Sequence, residues 1–196
     1  MTEKSIANDL FEKAYQYAFG TDKKNWRTAF ICWKKAAEFG HVRSMFYLGV
    51  CYDFGKGVGK DLLKAFSCYL RAARLGQRDA QFNIGFFYSE GELLKQDHRK
   101  KVKWYRKAAE QGLIDAQRDL GYSYFHGEGV RKNLKTGIYW YRLAAKGRDS
   151  KANYNLGLCY LSGDGVRKSK RWAKYYFTKA SLAGHKGATK KLAGIS

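Results

Sequence analysis

Apolar and small residues return at a fixed step along this chain. Leu48-Gly49, Ile84-Gly85, Leu120-Gly121 and Leu156-Gly157 stand 36 residues apart. Tyr52, Tyr88, Tyr124 and Tyr160 keep the same step, as do Gly55, Gly91, Gly127 and Gly163. So do Ala72, Ala108, Ala144 and Ala180, and Ala36 extends that series backward. Within one period Ala80, Ile84, Gly85 and Tyr88 fall at i, i+4, i+5 and i+8, one face of a 3.6-residue helix. A first helix is expected across "SMFYLGVCYDF", "AQFNIGFFYSE", "AQRDLGYSYFH" and "ANYNLGLCYLS". The glycine inside it costs up to ~1 kcal/mol against alanine, so its recurrence points to a partner helix too close for a Cβ. A second helix is expected across "LLKAFSCYLRAARLG", "HRKKVKWYRKAAEQG", "LKTGIYWYRLAAKG" and "KRWAKYYFTKASLAG". Its buried face carries Tyr69/Ala72, Tyr105/Ala108, Tyr141/Ala144 and Phe177/Ala180. Gly76, Gly112, Gly147 and Gly184 end it, with Gly147 one residue early, as glycine does after a helix C-terminus.

The segment between the helices, "GKGVGKD" at Gly55–Asp61, also invites comparison with a phosphate-binding loop. Glycines there aim backbone N–H groups at an anion, and the pattern is G-x-x-x-x-G-K-[ST]. The spacing fails, because Phe54 stands where glycine is needed and Asp61 where a magnesium-binding hydroxyl is needed. Later periods hold "GELLKQD", "GEGVRKN" and "GDGVRKS" at the same place. A catalytic loop is needed once, so the segment reads as the turn of a repeated unit.

The pattern A-x-x-x-[LI]-G-x-x-Y-x-x-G-x-G-V…[WY]-Y-x-x-A-A-x-x-G at this step resembles the Sel-one-like repeat, a relative of the tetratricopeptide repeat. The tetratricopeptide unit has about 34 residues and ends on proline, which this chain lacks. The resemblance covers 41–184 as repeats 41–76, 77–112, 113–148 and 149–184. Residues 1–40 read as a degenerate first repeat with a shortened turn, and 185–196 as a C-terminal capping helix. Leu93-Leu94 replace Gly-Val, Lys101 stands where Ala65 and Ala173 do, and Gly137 weakens the fourth second helix. One such unit cannot bury its apolar face alone, whereas stacked units can. The expectation is a single all-α domain over 1–196, a right-handed α-solenoid of about ten helices with one continuous core.

Composition narrows the function. With 196 residues, 45% hydrophobic and 16% aromatic, the chain is not disordered. No apolar run approaches the ~20 residues of a membrane span, and "MTEKSIANDLFEKAYQY" is charged rather than a signal peptide. A cytoplasmic protein is expected. Cys32, Cys51, Cys68 and Cys159 show no C-x-x-C spacing and read as small hydrophobes. The formal charge of +21 is uneven: residues 1–94 hold 14 Lys+Arg against 10 Asp+Glu, and 95–196 hold 24 against 7. That asymmetry points to an acidic partner for the C-terminal half, against the plainer reading of a soluble basic surface.

The histidines, His41, His98, His126 and His185, show no metal-ligand spacing. No nucleophile elbow or convergent acid/base pair is apparent, so neither an enzyme nor a cofactor is expected. In the tetratricopeptide relatives the first helices line the concave surface. The resemblance then implies a groove with Phe46, Phe82, Arg118 and Tyr154 in one row and Val50, Phe86, Tyr122 and Leu158 in a second. Asp53, Ser89, Phe125 and Leu161 form a third. Such a groove suits an extended segment or helix, although Phe82 and Tyr154 serve equally as internal packing. Lys60, Lys95, Arg131-Lys132 and Arg167-Lys168 recur at the turns as a basic edge, continued by Lys170 and Arg171. The resemblance implies an adaptor or scaffold, and in bacterial members an immunity protein that neutralises a cognate toxin; the charge points to an acidic protein as the partner, and a monomer is expected. The alternative is RNA binding, suggested by Trp104, Trp140 and Trp172 interleaved with basic residues.

Overall fold

The computed structural model describes residues 2–20 and 24–195. The described residues form eleven helices and no strand. In order they are α1 (Glu3–Phe19), α2 (Trp26–Glu38), α3 (Val42–Phe54), α4 (Leu62–Arg74), α5 (Arg78–Glu90) and α6 (His98–Glu110). Then follow α7 (Ile114–His126), α8 (Leu134–Lys146), α9 (Ser150–Ser162), α10 (Lys170–Leu182) and α11 (Lys186–Ala193). The chain is an all-α solenoid of helix-turn-helix repeats. It divides into two compact units, Met1–Gln96 with α1 to α5 and Asp97–Ser196 with α6 to α11. The turn expected to be shortened in the first repeat includes residues 21–23, which lie outside the described residues.

Helix starts explain the polar residues of the turns. Asp61, Asp97, Asn133 and Ser169 each accept a hydrogen bond from the N–H three residues on, capping α4, α6, α8 and α10. The acid that argued against a phosphate loop is thus a helix cap. His41 and His185 occupy the matching place before α3 and α11, each accepting through Nδ1. Gln77 and Asp149 cap α5 and α9 in the same way.

The core of three repeats is a ring set against a glycine. Tyr69, Tyr141 and Phe177 are fully buried. A Cβ on Gly49 would lie 2.6 Å from the Tyr69 ring, on Gly121 2.7 Å from Tyr141, and on Gly157 2.6 Å from Phe177. The close approach expected from the recurring glycine is therefore to the ring of the second helix. Ala36, Ala72, Ala108, Ala144 and Ala180 are wholly buried. Their carbonyls accept the N–H groups of His41, Gln77, Leu113, Asp149 and His185, tying each helix pair to the helix that follows. The second glycine of the turn has its own role. A Cβ on Gly129 would run into the backbone carbonyl of His98 at the start of α6.

Two departures from the repeat are resolved by packing. Lys101 replaces a buried alanine and is itself buried, its Nζ 2.8 Å from Glu128 Oε2 in the next repeat's turn. Gly137, at the same repeat position, leaves room for Phe125, whose backbone N would be 3.0 Å from a Cβ there. One expectation is corrected. Gly147 has φ −76° and does not supply the left-handed residue that ends α8. Arg148 does, at φ 65°, where Gly40, Gly76, Gly112 and Gly184 stand in the other repeats.

Gly157→Ala tests the ring contact. Alanine adds up to ~1 kcal/mol of helix propensity, but overpacking a buried ring costs roughly 1–3 kcal/mol. Urea unfolding should show a net loss of about 1–2 kcal/mol, and unchanged stability would mean that the ring yields freely. Arg148→Gly should move the other way, raising stability by up to ~1 kcal/mol as left-handed strain is relieved.

Candidate partner-binding surfaces

In the first unit, Phe46, Val50 and Asp53 lie at i, i+4 and i+7 on α3, and Phe82 and Phe86 at i and i+4 on α5. Together they line one cleft of about 440 Å³. Phe54, Lys60 and Leu62 from the α3–α4 turn also line it, and the buried Tyr69 and Phe87 reach it from below. Phe54 is 66% exposed and Phe86 50%, a high exposure for two large apolar side chains on one cleft. The remaining charged lining residues are Asp53, Glu90 and Glu92, so one lysine and three carboxylates line the cleft. Tyr69 donates its hydroxyl proton to Asp53 Oδ2 at 3.2 Å. Burial raises the Asp53 carboxyl above its ordinary value, while the Tyr69 bond and Lys60 oppose that rise. Burial and then the Asp53 charge raise the Tyr69 hydroxyl.

The same rows are polar in the second unit. Arg118, Tyr122 and Tyr154 line an open cleft with Asp119, Lys151, Asn155 and His185. Arg118 Nη1 lies 2.6 Å from Asp115 and 3.1 Å from Asp149, and Nε lies 2.7 Å from Asp119. Burial works against its charge, but these carboxylates hold the guanidinium above its usual value. Its charge is thus neutralised internally. Tyr154 stacks on His185 with ring centroids 4.3 Å apart and also touches Phe177, which is a packing role. Tyr122 is exposed beside His126. Phe125 packs against the core around Ile138 and Tyr141, and Leu158 against the core around Phe177.

The basic turn residues gather in the second unit. Arg142, Arg167 and Lys168 line a cleft of about 580 Å³ with Tyr160, Val166, Ser169 and Trp172, and no carboxylate lines it. Arg142 donates to the Tyr160 hydroxyl at 2.9 Å, as Arg106 does to Tyr124 one repeat earlier at 2.6 Å. Trp172 is 48% exposed and stacks on Tyr160. Trp104 and Trp140 are half-buried, and Arg131, Lys132, Lys170 and Arg171 are exposed. Lys60 alone of the expected edge belongs to the apolar cleft of the first unit.

Among the described residues no group of His, Cys, Asp or Glu is placed to hold a metal ion. No described helix is long and apolar enough to cross a membrane. The four cysteines are free thiols, three of them buried. Phe54, Leu62, Glu90 and Glu92 are lining residues that sequence reasoning did not single out. Their only sequence signal is proximity to the turn glycines Gly55 and Gly91.

No curated protein matches the chain. Among solved structures it is similar to a Sel1 repeat protein from Oxalobacter formigenes, with 30% identity over 96% of this chain and 78% of that one, at a TM-score of 0.88. It is also similar to a protective antigen of uropathogenic Escherichia coli displaying an SLR fold, with 30% identity over the whole of this chain and a TM-score of 0.91. The chain spans 44% of that antigen's length. Cysteine rich protein B of Helicobacter pylori is 27% identical over 68% of this chain and 96% of that one, at a TM-score of 0.53. The Sel1 repeat pattern matches residues 7–41, 42–77, 78–113, 114–149 and 150–185. With five matched repeats spanning most of its length, the chain belongs to the Sel1 repeat family.

Proposed function

We propose that this chain is a non-catalytic adaptor that captures a protein partner. The observation that carries the reading is the cleft of the first unit, where exposed Phe54 and Phe86 flank an apolar floor. Aromatic side chains around a preformed cleft are the usual anchors of a binding hot spot. The basic cleft of the second unit supports an acidic region on the same partner, because Arg167 and Lys168 have no carboxylate among the cleft's lining residues. Neutralisation of a cognate toxin, implied by the family resemblance for some bacterial members, is the narrower form of this reading. Identifying what co-purifies with the chain tests it. A second reading, binding of single-stranded RNA, draws on exposed Trp172 beside Arg142, Arg167 and Lys168, a stacking face among cations.

Phe54→Ala with Phe86→Ala should weaken partner capture at least about tenfold. Helicity should stay unchanged, since both rings are largely exposed. Capture from the source cell undiminished by this pair would sink the groove reading. Reversal of Arg167 and Lys168 to glutamate should slow association about tenfold at low salt while dissociation changes little. An RNA partner predicts instead that binding of a mixed single-stranded pool falls steeply with salt and is lost in Trp172→Ala. No mobility shift at low salt removes that alternative.

A further inference from the structure

We infer that the cleft of the first unit is selective for an apolar side chain flanked by positive charge, although the chain as a whole carries +21. The inference rests on the reading of that cleft as a docking surface and names the chemistry of what it takes. The occupant is a segment of the partner protein in which Phe or Leu stands beside Arg or Lys.

Phe46, Val50, Phe82 and Phe86 make the cleft apolar, and such walls hold an aromatic or branched side chain well but carry no charge preference. The charges come from other places. Asp53 projects from α3, Glu90 stands at the end of α5, and Glu92 follows in the next turn. One ammonium, Lys60, lines the cleft with these three carboxylates, and a second, Lys56, stands 5.7 Å from the Phe54 ring, so the acids remain in excess. Asp53 is fixed from below by the Tyr69 hydroxyl, which is anchored by a wholly buried ring. It is therefore a positioned acceptor rather than a mobile surface acid.

Docking strips water from this carboxylate. A neutral or anionic neighbour leaves it without compensation, at the full desolvation penalty of a charged group. A guanidinium or ammonium at the rim replaces the lost water with a charge-assisted hydrogen bond. At physiological salt, charges beyond roughly 8 Å are largely screened. The local excess of carboxylates therefore decides the preference, and the positive sum over the chain does not. This reverses, for the cleft alone, the expectation that the groove meets an acidic segment. The acidic region of a partner belongs to the Arg167–Lys168 surface.

The test uses the full chain and three fluorescent peptides that share a central Phe-Leu and differ in their flanks: Arg-Phe-Leu-Arg, Gln-Phe-Leu-Gln and Glu-Phe-Leu-Glu. Binding that persists in Phe86→Ala is scored as outside the cleft and subtracted. In 0.15 M salt the Arg peptide should bind about tenfold more tightly than the Glu peptide, as expected for two partly screened charge pairs, with the Gln peptide between them. Asp53→Asn with Glu92→Gln should abolish this order, weakening the Arg peptide and strengthening the Glu peptide, since neither amide carries the charge that the flanks read. Equal Phe86-dependent binding of all three peptides, or tightest binding of the Glu peptide, overturns the charge selectivity and leaves the docking surface standing. Absence of any Phe86-dependent binding overturns both.

Discussion

Three of the repeats turn on one contact, a buried ring of the second helix pressed onto a glycine of the first. Tyr69 meets Gly49, Tyr141 meets Gly121 and Phe177 meets Gly157 at distances that leave no room for a methyl group. The contact lets the two backbones approach with a whole aromatic side chain between them. It also sets which residues can occupy the rest of the interface. The alanines one turn further on must be small, and each is fully buried. The turn joining the helices must be tight, and its second glycine seats directly on backbone of the preceding repeat. Where one position departs from this scheme, a neighbour accommodates it: Lys101 pairs with Glu128, and Gly137 admits Phe125.

The same contact joins stability to recognition in the first unit. The Tyr69 ring closes the core while its hydroxyl reaches the cleft and holds Asp53. At the equivalent place Phe177 has no hydroxyl, and the clefts of the second unit are polar or basic. One scaffold position thus serves as pure packing in one repeat and as support for a surface acid in another. The chemistry of the two units differs while their helix pairs stay alike.

Most of the fold was legible because the spacing of Leu-Gly, Tyr and Ala states the packing directly. A 36-residue step needs no three-dimensional information to be seen. The turn acids and histidines were legible as positions but not as helix caps, since capping depends on the backbone angle of the capping residue. The ending of α8 was misread because glycine is only the commonest left-handed residue, and Arg148 takes that conformation with Gly147 beside it. The apolar cleft was partly legible through Phe46, Val50, Phe82 and Phe86, which share helix faces. Of its acidic rim only Asp53 was, in the third row of the groove. Asp53, Glu90 and Glu92 come from two helices and a turn, and they meet only because α3 and α5 line the same cleft. Arg118 shows the converse, a cation in the expected row whose charge is consumed by three neighbouring acids.

The capping residue of the second helices runs Asn25, Asp61, Asp97, Asn133 and Ser169. These residue types cap with nearly equal strength, so the exchange leaves the helix start intact while deleting a negative charge from the surface. In the second and third repeats that charge holds Lys64 and Lys100. In the last it is gone, and a tryptophan stands in the lysine's place among unopposed cations. A repeat architecture of this kind separates two tasks that most folds entangle. Its surface potential can be rewritten one turn at a time, by substitutions to which the folding free energy is almost indifferent.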